Sequence, residues 1–361
     1  MENEVVLAIN PGSTSTKLAL YSRKGPIQVK SIDHTGTEIC NIHSIVDQLP
    51  LRLDIIQKTF KPWLEGCRLV AVVGRGGLVK PIKGGVYHVN DDLMADTINC
   101  KYAIHASNLG ASIANGIAQE YKVPAYVVDP VTVDELIPEA RISGVPEFQR
   151  RSRLHALNVN ACVRKEAARL GKNIEDTRFV IVHLGGGITV AAIDRGKIID
   201  CNDALMGMGP FSPERAGALP LEPIIKMAMS GDYSFQDLYR KLTKNSGLKG
   251  YLGTSDMRDI IKRINDGDKK ADLIYRAMIY QVAKEIGAFT TVLKGNIDRI
   301  IITGGLAHSE KVVSDLRERI EFLAEISVHP GENELESLAA GGFRAVDGEQ
   351  EVLIYKSEDG E

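Results

Sequence analysis

Glycine and hydroxyl residues interrupt two apolar runs of this chain in the same way. The first is Val6-Leu7-Ala8-Ile9-Asn10-Pro11-Gly12-Ser13-Thr14-Ser15-Thr16-Lys17-Leu18-Ala19-Leu20, and the second is Val180-Ile181-Val182-His183-Leu184-Gly185-Gly186-Gly187-Ile188-Thr189-Val190-Ala191-Ala192. Each reads as a buried strand, a tight turn and a second strand. Where no Cβ intervenes, backbone N–H groups and small hydroxyls can close on an anion, so either turn has the chemistry to hold a phosphate. Laid over one another, Asn10 falls on His183, Gly12 on Gly185, Thr16 on Thr189 and Ala19 on Ala192. Two such turns in one chain suggest a duplicated domain closing on one polyphosphate.

The surrounding elements alternate between strand and helix. An apolar strand over Arg68–Val73 breaks at Gly74-Arg75-Gly76-Gly77, a small-residue helix is expected near Tyr102–Tyr121, and a strand over Ala125–Val128 ends on Asp129-Pro130. Such alternation implies an α/β sheet, whose ligands collect beyond the carboxyl ends of the strands, where Arg75 and Asp129 both lie. The Arg141–Arg153 stretch reads as a linker and Leu154–Leu170 as a helix. After the second hairpin come an irregular Gly- and Pro-rich loop over Met206–Pro220 and a long amphipathic helix over Lys270–Leu293 with apolar residues at helical spacing. A strand from Ile297 then stops on Gly304-Gly305, and a helix over Leu335–Val346 is expected to return to the first domain.

Bulk properties narrow the class. At 361 residues the chain fits two domains, and its 44% hydrophobic and 25% charged residues describe a soluble globular protein. A formal net charge of −3 gives no field to attract nucleic acid or an anionic membrane. The acidic start runs directly into a strand and reads as no signal peptide, and no apolar stretch is long enough to span a bilayer. Cys40, Cys67, Cys100, Cys162 and Cys201 are scattered, odd in number and never in a CxxC pair, which favours a reducing cytoplasm and buried structural thiols over a zinc site. Neither a G-x-x-x-x-G-K-[ST] loop nor a strand followed by G-x-G-x-x-G occurs, so hairpin turns remain as the means of holding phosphates.

Asn10-Pro11-Gly12-Ser13-Thr14-Ser15-Thr16-Lys17, Val73-Gly74-Arg75-Gly76-Gly77, Val128-Asp129-Pro130, His155, His183-Leu184-Gly185-Gly186-Gly187 and Arg215-Ala216-Gly217 follow the order seen in acetate and butyrate kinases. These belong to the superfamily of sugar kinases, actin and heat-shock chaperones, and the N-terminal motif most resembles the butyrate kinase branch. The resemblance implies an α/β protein of two ribonuclease-H-like domains, a βββαβαβα core duplicated along the chain, with the active site in the cleft between them. Residues 1–150 with 335–361 would form the acyl-side domain and 151–334 the nucleotide-binding domain. The implied reaction moves the γ-phosphoryl of Mg-ATP reversibly to a short-chain or branched carboxylate such as butyrate or isobutyrate, giving an acyl phosphate and ADP.

The resemblance also assigns tasks to residues. Phosphoryl transfer needs neutralisation of oxygens and in-line alignment rather than covalent work by the protein. Arg75 and Arg215 would clamp the carboxylate and the transferring phosphoryl from opposite halves, against the bland reading of a surface ion pair. Asp129 would hold Mg²⁺ directly or through water, against the reading of an Asp-Pro turn starter. Asn10 and Ser13 would support that ion and the phosphates, while Lys17 is either a phosphate partner or an outward strand lysine. His155 and His183 would donate hydrogen bonds to phosphoryl groups. The glycines Gly185, Gly186 and Gly187 would line the phosphates, and Asp256, Arg258, Gly304 and Gly305 the adenosine, although Leu306-Ala307-His308 departs from the acetate kinase pattern. Glu332 and Glu334 are both eligible as the metal-associated glutamate. His105 and Gly77 would line the acyl pocket, with Gly77, where acetate kinases carry valine, leaving room for added methylenes at about 0.8 kcal/mol each. A homodimer or larger homo-oligomer is expected. Acetate or propionate kinase and a non-catalytic actin-like ATP switch are the alternatives.

Overall fold

The computed structural model describes residues 3–42 and 44–358, apart from the side chain of Cys40. The chain forms two compact units, Met1–Val133 with Asn333–Glu361, and Asp134–Glu332.

In the first unit, strands β1 (Asn3–Pro11), β2 (Ser15–Ser22) and β3 (Gly25–Asp33) form an antiparallel meander. They continue into β4 (Cys67–Arg75), β5 (Val86–His88) and β6 (Ala125–Val128), with β12 (Val352–Ile354) at the far edge. The sheet order is β12-β5-β6-β4-β1-β2-β3, and β1, β4 and β6 run parallel. Val5 through Ile9 are all fully buried, as expected for a strand covered on both faces. The helices Leu49–Phe60 and Leu109–Tyr121 contribute Ile56, Phe60, Ile113 and Ile117 to the core with Val5, Leu7 and Ile9. The helix Glu334–Val346 also packs on this sheet, close enough that a Cβ on Gly342 would come within 2.7 Å of Val73 Cγ2.

The second unit repeats the plan. Strands β7 (Arg178–Leu184), β8 (Ile188–Asp194) and β9 (Lys197–Cys201) form the meander, β10 (Arg299–Gly304) and β11 (Ile326–Pro330) extend it, and the order is β11-β10-β7-β8-β9. Here β7, β10 and β11 are parallel, so the five central strands of each unit share order and direction, the ribonuclease-H-like arrangement expected from the paired hairpins. The helix Lys269–Val292 lays Tyr275, Met278, Val282, Ile286 and Phe289 on Val180, Val182, Ile300 and Ile302.

Several details depart from the sequence reading. The two hairpins do not superimpose without a gap: Pro11 pairs with Thr16, leaving a four-residue turn, whereas Leu184 pairs with Ile188 across only three residues. The helix expected from Tyr102 begins at Leu109, because His105 caps a separate turn, Ala106–Asn108, by accepting from Ser107 N at 3.2 Å. Residues 134–150 group with the second unit, where the Arg150 guanidinium donates to Ala140 O at 2.7 Å, Asp200 Oδ1 at 3.0 Å and Cys201 O at 2.7 Å. Among the cysteines with described side chains, Cys162 and Cys201 are buried, Cys67 and Cys100 half-buried, and none forms a disulfide.

Candidate active site

Register lines up the first group of residues. Ile9 pairs with Gly74 and Gly74 with Val127, so Asn10, Arg75 and Asp129 stand at the carboxyl ends of three adjacent parallel strands. The Asn10 Nδ2 donates to Glu334 Oε2 at 2.5 Å, and Arg75 Nη1 pairs with Glu334 Oε1. Glu334 opens the helix Glu334–Val346, where a carboxylate is favoured by the orphan N–H groups and the macrodipole. Asp129 is buried and adopts a φ of +40°, a backbone conformation that costs a non-glycine residue energy. It is held there by Gly85: its N–H donates to Gly85 O at 2.9 Å and its Oδ1 accepts from Gly85 N at 2.8 Å. Lys17 pairs with Asn10 in the hairpin and its side chain is exposed, as is Ser13 in the turn.

Beneath the first turn lies a buried polar network with no local sequence signature. Arg52, 1% exposed, donates to Gly12 O at 3.0 Å, to Thr16 Oγ1 at 2.9 Å and twice to Gln48 Oε1. His34 Nε2 lies 2.8 Å from the same Thr16 hydroxyl, and burial, then the Arg52 charge, pushes the imidazole below its usual range. The turn is thus braced from behind.

The Gly77 expectation needs correction. A Cβ at residue 77 would sit 2.7 Å from both Asn108 Cα and Asn108 Oδ1, and 3.0 Å from Thr97 Cγ2. Asn108 fills that space and accepts from Leu78 N at 2.9 Å, so the glycine admits a neighbour rather than opening a void. Nearby in the chain, His105 is exposed, with Nδ1 2.8 Å from Ser107 Oγ.

In the second unit, His183 is the penultimate residue of β7 and is buried, its ring stacked on His155 at 3.9 Å between centroids and 11° between planes. His155 stands at the start of the helix Ala156–Arg169, with Nδ1 2.8 Å from Thr189 Oγ1 on β8. The Gly185–Gly187 turn is closed by Gly185 N to Gly187 O at 3.1 Å, and Gly186 is exposed. Arg215 lies directly on this turn: a Cβ on Gly187 would fall 2.0 Å from Arg215 Nη1, which donates to Ala204 O. Ser212 locks the loop in place, donating to Gly186 O at 2.6 Å and accepting from Arg215 N at 3.1 Å. Burial pushes the Arg215 guanidinium pKa down, so an anion at this spot would meet a poorly hydrated cation.

Gly304 carries a φ of +90° at the end of β10, and a Cβ there would strike Leu184 O at 2.4 Å, so only glycine fits. After Gly305 the chain lines a cavity of about 450 Å³ with Ala307, His308, Glu310, Val313, Arg317 and Pro330. Asp256 and Arg258 hold each other: Asp256 caps the helix Met257–Asn265, and the Arg258 guanidinium, with its backbone N–H, draws the carboxyl down to about 2. The Arg258 side chain is 91% exposed. Glu332, two residues before Glu334, belongs to the second unit, with Oε1 3.8 Å from His183 Nε2. Residues 332 and 334 therefore serve different units. Among the described residues no group of three or more His, Cys, Asp or Glu forms a metal cage, and no helix is long and apolar enough to cross a membrane.

The fold is shared with acetate kinases of known structure. The acetate kinase of Porphyromonas gingivalis matches 94% of this chain and 99% of its own with a TM-score of 0.77 at 18% identity. That of Entamoeba histolytica matches 93% and 98% with a TM-score of 0.74 at 19% identity. The chain belongs to the acetokinase family, whose model matches residues 147–355. A probable butyrate kinase of Clostridium botulinum (strain Alaska E43 / Type E3) is 43% identical over 351 residues, covering 97% of this chain and 99% of that protein.

Proposed function

We propose that this chain is a carboxylate kinase of butyrate kinase type, transferring a phosphoryl group reversibly between ATP and a short-chain or branched fatty acid. The observation that carries the reading is near full-length similarity to a probable butyrate kinase at 43% identity. The strand-end group of Asn10, Arg75 and Glu334 supports it in chemistry.

In this reading Arg75 binds the acceptor carboxylate in the first unit, exchanging its Glu334 partner for the substrate. The acid is already ionised at neutral pH and attacks as its carboxylate, so no general base is required. In the second unit the Gly185–Gly187 turn and His183 hold the nucleotide phosphates, and His155 and Arg215 offset charge on the transferring group. Ser13 and Lys17 add donors at the first turn. The cavity after Gly304-Gly305 takes the adenosine in this reading, and Asp256 and Arg258 are the further candidates for contacting it. His105 lines the acyl pocket with the Gly77–Asn108 contact behind it.

A Mg²⁺ ion fits the residues present. Such an ion keeps several waters and takes one or two carboxylates plus phosphate oxygens, so Asn10, Asp129 and Glu334 supply enough hard oxygen donors without a three-carboxylate cage. When bound, it would neutralise phosphate charge. The exposed stripe of Leu221, Ile225 and Met229 on one helix supports a homo-oligomer, and the lack of a disulfide among the four cysteines with described side chains supports a cytoplasmic setting. The reverse reaction is the test: butyryl phosphate with ADP and Mg²⁺ yields ATP, and failure to form ATP from any short acyl phosphate overturns the reading.

A further inference from the structure

The helix Ala156–Arg169 presents Asn158 one turn beyond His155, and both residues meet the His183 ring. Asn158 is 3% exposed, and its amide orientation is dictated by its surroundings. Its Nδ2 donates to Glu332 O at 2.9 Å and reaches Gly331 O at 3.4 Å. Backbone carbonyls only accept, so the amide nitrogen must face them and Oδ1 must face His183 Nδ1, 2.9 Å away. An amide oxygen has no proton to give. The hydrogen of that bond therefore sits on His183 Nδ1.

We propose that Asn158 is a positioning residue that fixes His183 as the Nδ1–H tautomer, so that its Nε2 accepts when the ring is neutral and donates to an anion only once the ring is protonated. The charged and titratable neighbours fit this scheme. From the helix start comes His155, stacked at 3.9 Å, and from the segment after β11 comes Glu332, 3.8 Å from Nε2. The cross-strand neighbours, Thr189 on β8 and Thr303 on β10, are uncharged. The consequence for phosphate binding rests on the function proposed above; the tautomer does not.

Long-range ¹H–¹⁵N NMR of the substrate-free chain, at a pH where the ring is neutral, reads the tautomer directly. His183 in the wild type is expected as Nδ1–H, with the signal assigned by its loss in His183→Gln. Asn158→Ala removes the acceptor and shifts the ring toward Nε2–H, while Asn158→Asp keeps an acceptor oxygen and preserves Nδ1–H. Turnover of Asn158→Ala with ATP and butyrate is expected to fall about tenfold, the low end of what losing the orienting partner costs where histidines ligate metals. A wild-type ring protonated on Nε2, or an unchanged tautomer in Asn158→Ala, overturns the proposal. The wild-type spectrum decides even if the alanine variant fails to fold. A chain that makes no acyl phosphate yet shows the fixed tautomer would remove the functional reading alone.

Discussion

Arg75 and Glu334 lie 259 positions apart in the chain and form an ion pair at the carboxyl ends of the first unit's central strands. Both side chains are mostly shielded, at 23% and 18% exposure, so the pair holds the guanidinium oriented before any substrate arrives. Replacing Arg75 with alanine is expected to lower kcat/KM for the acid by about a thousandfold, roughly 4 kcal/mol of transition-state stabilisation, with the far-UV spectrum unchanged. Lysine at this position restores little, because one ammonium cannot reproduce a two-pronged donor. Steady-state kinetics of both variants check this; activity within tenfold of the wild type would remove Arg75 from its assigned role.

The network under the first turn has a cost when broken. Arg52→Met takes donors from Gly12 O, Thr16 Oγ1 and Gln48 Oε1 at once in a buried site. A loss of about 2–4 kcal/mol in urea unfolding is expected, with nucleotide affinity reduced in the remaining folded protein. A change below about 0.5 kcal/mol would show that the brace is dispensable.

Close packing at Gly77 predicts a stability defect rather than a simple change of acid preference. Gly77→Val drives methyl groups into Asn108 and Thr97, and overpacking of this kind costs about 1–3 kcal/mol or more. The melting temperature should fall, and a variant as stable as the wild type would show that Asn108 yields easily.

How much could be read from the chain alone depended on how local each signal was. The hairpins and the strand ends bearing Arg75 and Asp129 were legible because apolar runs stop abruptly on glycine or Asp-Pro. The one-residue difference between the two turns was not, since similar glycine content does not reveal which residues pair across a strand. Glu332 and Glu334 could not be separated by motif; only the start of the helix at Glu334 assigns one glutamate to each unit. Arg52 touches residues 36 and 40 positions away, a contact with no sequence pattern. That Asn108 occupies the space a side chain at Gly77 would take was not legible either, because it is a packing contact between separate segments with no sequence pattern.

Acid stability has a specific source in the second unit. Glu166 is fully buried, which by itself would raise its carboxyl, but hydrogen bonds from Arg169, Ser327 and His329 outweigh burial and hold it at about 2. A carboxyl depressed in the fold stabilises it above the unfolded value of 4.5, and that contribution is lost as pH falls from there toward 2. The contribution is on the order of 3 kcal/mol. Glu166→Gln is expected to be less stable than the wild type at pH 7 and to show a flatter stability profile between pH 4.5 and 2. Parallel profiles for the two proteins would contradict the assignment.

The central claim is that a fatty acid of more than two carbons accepts phosphate from ATP on this chain. A panel of unbranched and branched acids, assayed with Mg-ATP and trapped as hydroxamates with ADP counted in parallel, addresses it directly. One hydroxamate per ADP, with butyrate or isobutyrate well ahead of acetate in kcat/KM, is the expected result. ADP release that no acid stimulates, or a clear preference for acetate, would contradict it.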